Sequence, residues 1–327
     1  MALGMDASRQ RAVVTGATGF LGRAVVRALL ERGVAVAALT GRSDCAFPAG
    51  VRCYRRDDPD GVPAAFAWVG EAAHSACIHL AGMADAGLCA EDPDRAFRAN
   101  VALVWTMLDA ARSHGVRGVV VPSSAMVYGR GTGTPFTEDA PLRTGGVYAA
   151  TKVAAESMAL GFGRASGVAV VVPRLSNVYG LGMSPRTAIG RLCGQLLAGE
   201  TARLERLDPV RDFLFVDDAA EALVRLALLA AHATQSTQPA HAARETEFPL
   251  VVNVSSGRGA SLAEVMRCAL DIAGRGSEMP PLSPMQGEAD VLVLDNGRLV
   301  ALTGFAPSVD LYTGLGRMLR KGTGMHG

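Results

Sequence analysis

A chain of 327 residues has room for one large or two modest domains, each with a substantial core. Hydrophobic residues make up 49% and charged residues only 19%, which excludes a disordered chain. A formal net charge of +1 supplies no global field to draw nucleic acid or an anionic membrane, so neither is an expected partner.

The stretch Met1 to Arg11 has no apolar segment of the signal-peptide type. The most apolar window, Ala219–Ala231, is interrupted by Glu221 and Arg225 and is too short to span a bilayer. The six cysteines, at positions 45, 53, 77, 89, 193 and 268, form no CxxC pair and lie near no histidine cluster. Neither a disulfide framework nor a metal site is expected, and buried thiols in a cytoplasmic protein fit the pattern. Of the 32 basic residues only Lys152 and Lys321 are lysine. A lysine at a chemically suggestive position therefore carries weight.

In chain order, Arg11–Thr15 reads as a short buried strand, Gly16–Gly22 as a glycine-rich turn and Ala24–Leu30 as a helix. Val34–Leu39 lacks polar alternation, as a strand buried on both faces does. The rhythm continues with strand Ala76–Leu80, helix Arg95–His114, strand Gly118–Pro122, helix Val147–Ser166 and strand Val168–Pro173. Strands alternating with helices predict an α/β fold with a Rossmann-type doubly wound parallel sheet. Beyond Arg174 the pattern loosens: Gly180–Pro185 reads as a loop, Ala188–Ala198 as a helix, and Phe213–Ala231 as strand then helix, or helix alone. His232–Pro249 reads as an exposed loop, Leu250–Val254 as a buried strand, Ser261–Ala273 as a helix and Met279–Pro284 as a proline-bearing segment. The predicted division is a Rossmann domain over 10–180 and 208–255 and a small interleaved C-terminal substrate-binding cap over 181–207 and 256–322. Residues 1–9 and 323–327 are expected to be flexible termini.

Gly16-Ala17-Thr18-Gly19-Phe20-Leu21-Gly22 falls between the first strand and the first helix. The early glycines permit a tight turn and close backbone approach to a pyrophosphate, and the last lets the helix pack on the strand. The helix N-terminus adds free N–H donors and a positive dipole end. In strand–turn–helix context this points to a dinucleotide. The second strand ends Leu39-Thr40-Gly41-Arg42-Ser43, with no carboxylate to accept from the ribose hydroxyls of NAD(H) and with a guanidinium suited to a 2′-phosphate. NADP(H) is favoured, with NAD(H) left open.

Tyr148-Ala149-Ala150-Thr151-Lys152 sets a phenol and an ammonium one helical turn apart. A nearby cation stabilises phenolate, so this spacing predicts a tyrosine made more acidic for proton transfer. Ser124, just past the Gly118–Pro122 strand, is placed to donate to the same substrate oxygen.

The chain resembles the extended short-chain dehydrogenase/reductases of the NAD(P)-dependent nucleotide-sugar epimerase/dehydratase family. The matching segments, in family order, are Thr15–Gly22 (TGATGFLG), His79–Gly82 (HLAG), Asn100 in RANV, Ser123–Gly129 (SSAMVYG), Tyr148–Lys152 (YAATK), Arg174–Gly180 (RLSNVYG) and Arg211–Asp218 (RDFLFVDD). The resemblance implies that Gly16, Thr18, Gly19, Phe20, Leu21 and Gly22 hold the dinucleotide phosphates. It gives Asp57, or its neighbour Asp58, the adenine, and Leu80, Ala81 and Gly82 the ribose side. Arg42, Asn100 and Leu175 complete the cofactor set, Asn100 being as readily an organiser of its helix and water. Tyr148 would be the acid/base, Lys152 its activator and a ligand of the nicotinamide ribose, and Ser124 the donor to the substrate oxygen. Ala125, Asn177 and Arg211 would join Ser124 and Tyr148 in holding substrate. Asp217 and Asp218 would cap the following helix. A homodimer through helices Arg95–His114 and Val147–Ser166 is also implied.

Three departures narrow the reaction. Family dehydratases carry an acidic pair after the catalytic hydroxyl residue, whereas here Ala125 and Met126 cannot move protons. The family's C-terminal arginine-proline-glycine-aspartate segment corresponds to Pro284-Met285-Gln286-Gly287-Glu288, without its arginine, and Phe215 stands where many relatives have histidine. Either Arg211 with Arg186 or Arg298 grips the diphosphate, or the substrate is not a nucleotide sugar. The expected activity is an NAD(P)-dependent ketoreductase acting on a nucleotide sugar or similar keto compound. The alternatives are a nucleotide-sugar 4-epimerase and a non-catalytic NAD(P)-binding sensor, which would need no Tyr–Lys pair.

Overall fold

The structure, a computed structural model, describes residues 10–41, 46–131, 134–233, 247–281 and 290–320. The chain opens with β1 (Gln10–Thr15), buried by Val13 and Val14, and α1 (Phe20–Glu31), whose Val25, Val26 and Leu29 are covered. Gly33, at φ +71°, turns the chain into β2 (Ala35–Thr40).

β3 (Val51–Arg55) and α2 (Gly61–Gly70) lie outside the predicted pattern. β3 is an edge strand, so it carries exposed arginines in place of an apolar run. α2 starts Gly-Val-Pro and ends in glycine; its proline sits in the first turn, where no N–H is missed. β4 (His74–His79) follows.

A short helix that the sequence did not predict, α3 (Ala86–Glu91), comes next, and the helix predicted over Arg95–His114 is a composite of α4 (Pro93–Phe97), a π-helical turn at Arg98–Ala102 and α5 (Leu103–Ser113). Asp85 and Asp92 cap α3 and α4 by accepting from the Leu88 and Arg95 amides at 3.0 and 2.9 Å. Next come β5 (Gly118–Val120), β6 (Ser123–Ser124), α6 (Val147–Ser166), β7 (Ala169–Leu175), β8 (Asn177–Tyr179) and α7 (Ala188–Leu197). The remainder is β9 (Val210–Phe215), α8 (Val216–Ala231), β10 (Leu250–Val254), β11 (Gly259–Ser261), α9 (Leu262–Ile272), β12 (Val291–Leu292), α10 (Gly297–Thr303) and α11 (Leu311–Arg320). No helix among the described residues is long and apolar enough to cross a membrane.

The large sheet has the order β10-β7-β5-β4-β1-β2-β3, and the pairs from β3 to β7 are parallel. It is the Rossmann-type sheet expected. Strand order reverses between β1 and β4, so a crevice opens beyond their C-terminal ends. One face is sealed by Phe66 and Val69 of α2, Met107 and Leu108 of α5 and Phe162 of α6, packed with Val13, Cys77, Val119 and Val170 of the strands.

The chain divides into two compact units. The first holds the residues through Val127 with Leu142–Arg174 and Ala220–Val252; the second holds Tyr128–Pro141, Leu175–Ala219 and the residues from Asn253 on. In the second unit β9 is flanked by β11 and β12 and also pairs with β8. Buried Asp212 ties the neighbouring loop by accepting from the Ser256 amide (2.9 Å), the Ser256 hydroxyl (2.7 Å) and the Gly257 amide (3.1 Å). α9 starts with a reciprocal capping box between Ser261 and Glu264.

Asp217 and Asp218 are the predicted caps of α8. Both lie inside the first turn of α8; Asp218 Oδ2 accepts from the Ser308 and Val309 amides, and Asp217 faces Arg317 at 3.7 Å.

Candidate active site

The cleft lies at the crevice, in the first unit, with a volume of about 300 Å³. Thr15, Gly16, Thr18 and Gly19 form one wall, Leu39, Thr40, Gly41 and Arg56 a second, and Leu80, Ala81 and Gly82 a third, with Leu103 and Met107 of α5 completing it. Gly16 adopts φ +65°, and a Cβ there would sit 2.8 Å from the Ala81 nitrogen. A Cβ on Gly22 would lie 2.1 Å from the Gly16 carbonyl oxygen. Both positions therefore demand glycine, one for the turn and one for helix–turn packing. No side chain caps α1 and no acidic residue stands in its first turn, which leaves its positive end to an anion. A cradle of this shape at a strand-order reversal fits a dinucleotide pyrophosphate. The same arrangement holds Thr18, Phe20 and Leu21 at the start of the helix.

The predicted proton-transfer residues centre on α6. Tyr148 and Lys152 lie one turn apart; Lys152 Nζ donates to the Pro122 carbonyl at 3.0 Å and lies 5.9 Å from the Tyr148 ring centroid. Ser124 on β6 hydrogen-bonds the Tyr148 phenol, and its Oγ accepts from the Met126 amide at 3.2 Å. Asn100, on the π-helical turn, ties this group to the loop after β4. Its Oδ1 accepts from the Met83 amide at 2.7 Å, while its Nδ2 donates to the Met83 carbonyl and to Thr151 Oγ1. Thr151 Oγ1 in turn donates to the Tyr148 carbonyl at 2.8 Å. Asn100 thus serves here as an organiser.

Electrostatics differ from the expectation at Tyr148. Burial pushes its phenol above the ordinary tyrosine value; the Ser124 hydrogen bond pulls the other way, and Cys89 adds to the rise. The acidifying influence predicted for Lys152 does not prevail, because its ammonium is turned toward Pro122. Burial brings Lys152 itself down to about 8, with Cys89 and Glu156 opposing. At neutral pH the pair is therefore a phenol beside an ammonium. Burial, then the Lys152 charge, push His79 down to about 3, so its imidazole stays neutral; its Nδ1 shares a 2.8 Å hydrogen bond with Thr15 Oγ1. Lys152 is followed one turn later by Glu156, buried in an ion pair with Arg174 at 2.9 Å.

The structure brings together Gly16, Thr18, Gly19, Leu80, Ala81 and Gly82 along the cleft, and Ser124, Tyr148 and Lys152 around one phenol. Arg42 lies outside the described residues. Asp57 does not line the cleft; its exposed carboxylate accepts from Arg56. Ala125 is buried, in a short 3₁₀ turn, and Leu175 ends β7. Asn177 and Arg211 belong to the second unit. Asn177 is exposed on β8, whereas Arg211 donates to the Val210 and Asp290 carbonyls and pairs with the Asp290 carboxylate at 2.9 Å. Arg298 is engaged at 3.6 Å with Glu138. The segment Pro284–Glu288 lies outside the described residues. Arg56, Leu103 and Met107 are cleft residues that the sequence did not single out.

Fold and cleft together define a nicotinamide-dinucleotide-binding protein of the extended short-chain dehydrogenase/reductase kind. The model of the NAD dependent epimerase/dehydratase family matches residues 12–238, and the chain belongs to that family of enzymes. A dTDP-glucose 4,6-dehydratase of Streptomyces griseus is 31% identical over 318 residues, covering 93% of this chain and 91% of that protein. UDP-glucose 4-epimerase is the name of several further relatives. Among solved structures, the UDP-glucose 4-epimerase of Thermus thermophilus in complex with NAD superposes with a TM-score of 0.79 at 29% identity, covering 96% of this chain and 99% of that one. RMD from Pseudomonas aeruginosa, complexed with NADPH, gives a TM-score of 0.76 at 26% identity, covering 96% and 97%. Both forms of the dinucleotide thus occur among the structural relatives.

Proposed function

We propose that this protein reduces a ketone on a nucleotide sugar, or on a similar keto compound, with Tyr148 as the proton donor. The observation that carries this reading is the buried Tyr148 phenol, held protonated and hydrogen-bonded to Ser124, with the Lys152 ammonium one turn away. The bound dinucleotide, NADP(H) or NAD(H), supplies the hydride. Tyr148 gives its phenolic proton to the carbonyl oxygen as that oxygen gains charge, and the Ser124 hydroxyl donates to the same oxygen. The Lys152 ammonium stabilises the phenolate left behind. Ala125, buried, and Met126 supply no acid or base for eliminating water, which sets this reading apart from dehydration.

Asn177 and Arg211 are the residues proposed to meet the substrate diphosphate, Arg211 exchanging Asp290 for it. Exposed Phe97 and Trp105, on α4 and α5, suit the self-association that the family resemblance implies. Epimerisation through a transient ketone is the second reading, favoured by the names of the relatives. The deciding experiment follows dinucleotide absorbance with a panel of keto-sugar nucleotides. Reduction consumes added reduced dinucleotide in proportion to product; epimerisation interconverts the two sugars with no net consumption. In either case Tyr148→Phe is expected to lower kcat by about 10²–10⁴-fold. Near wild-type turnover in that variant would overturn the assignment of Tyr148.

A further inference from the structure

β3 brings to the cleft a side chain that the glycine motif does not announce. Its register sets Arg55 beside Thr40, and the next residue, Arg56, donates its backbone amide to the Thr40 carbonyl at 2.8 Å. Arg56 is thereby fixed against the end of β2, the strand whose end meets the adenosine ribose in folds of this type. A Cβ on Gly41 would lie 3.0 Å from Arg56 Nη2, so the guanidinium lies over Gly41. Of the described residues that line the cleft, Arg56 alone is charged, and none is a carboxylate.

We propose that Arg56 binds the 2′-phosphate of the adenosine ribose and gives this protein a preference for NADP(H). The proposal rests on the reading of the cleft as a dinucleotide site. Arg56 Nε and Nη2 both donate to one oxygen of Asp57, at 3.1 and 3.0 Å, with the two side chains 44% and 51% exposed. An ion pair so open to solvent is weakly held, so it yields readily to another anion. A dianionic phosphate matches the same two parallel donors and carries more charge than the carboxylate it replaces. Asp57 pre-orients the guanidinium edge until the phosphate arrives. Had the pocket been built for the unphosphorylated ribose, a carboxylate at the end of β2 would accept from its hydroxyls; Leu39-Thr40-Gly41 supplies none.

The test is calorimetric titration of the intact protein with NADPH, NADH, 2′-phospho-AMP and AMP, repeated on Arg56→Ala, Arg56→Lys and Arg42→Ala. Expected are tighter binding of the phosphorylated member of each pair and a loss of about 10–100-fold for NADPH and 2′-phospho-AMP in Arg56→Ala. NADH and AMP should change less than about twofold, and Arg56→Lys should recover part of the loss because it retains a point charge. Equal weakening of both members of a pair, a wild type that prefers NADH, or a phosphate-specific loss confined to Arg42→Ala would overturn the proposal. Folded wild-type protein that binds none of the four compounds would instead remove the dinucleotide reading beneath it.

Discussion

Replacing Lys152 by methionine separates what this side chain does for the reaction from what it does to the fold. Burial holds the ammonium at about 8 against an ordinary 10.5. The charged form is thus disfavoured in the folded protein, opposite in sign to a lysine that gains a partner. Below pH 8 the residue is protonated both folded and unfolded, and the folded state carries the full cost. Between pH 8 and 10.5 the folded protein binds fewer protons than the unfolded chain, so the wild type gains stability as pH rises. At 1.36 kcal/mol per unit the cost is about 3 kcal/mol at pH 7 and about 1 kcal/mol at pH 9.5. Lys152→Met has no such group, and His79, which the Lys152 charge also lowers, stays neutral across this pH range in the wild type. Losing the hydrogen bond to the Pro122 carbonyl shifts its stability by an amount that varies little with pH. Urea unfolding of both proteins at the two pH values should therefore show the methionine variant better placed at pH 7 than at pH 9.5, by about 2 kcal/mol relative to wild type, while turnover is lost. A gap that stays constant within about 0.5 kcal/mol, or widens with rising pH, would refute the claim that burial dominates at Lys152.

Three further perturbations read other parts of the first unit. Glu156→Gln leaves the guanidinium of Arg174, only 5% exposed, without its carboxylate and should cost about 3–5 kcal/mol in urea unfolding, whereas Glu156→Leu with Arg174→Met should cost less than the single change. Gly82→Ala would place a Cβ 2.9 Å from Asn100 Oδ1 and should destabilise by about 1–3 kcal/mol. In a double-mutant cycle, Asn100→Ala should then cost less in the Gly82→Ala background than alone. Ser124→Ala removes the hydrogen bond that lowers the Tyr148 phenol, so the phenol's own spectrophotometric titration should move to higher pH, together with a fall in kcat.

The parts of this protein legible in its sequence are those encoded locally. The Gly16–Gly22 turn and the Tyr148–Lys152 pair each sit within one or two turns of chain, where spacing alone fixes which groups share a face. β3 and α2 escape because an edge strand needs no apolar run and because glycine and proline at a helix start mimic a loop. Arg56 escapes for a different reason. Its place at the cleft follows from the parallel pairing of β2 with β3, a non-local contact that no single segment records. The same holds for Asp218, claimed by the amides of residues 308 and 309, and for Arg211, claimed by Asp290. The direction of the Tyr148 shift was likewise hidden: charge neighbours can be read from spacing, but the depth at which a phenol is buried cannot.

The wide turn at Arg98–Ala102 inserts one residue's worth of backbone ahead of α5. A wide turn takes up its extra residue locally, so α5 leaves it facing as it would from a regular helix one residue shorter, with Leu103 and Met107 toward the cleft they help to enclose. What the turn changes is the aim of its own residues, and from it Asn100 reaches Met83 and Thr151. Deleting one residue at this point should therefore keep α5 against the cleft while removing the Asn100 hydrogen bonds. The irregularity gives one side chain a direction that a regular helix would deny it.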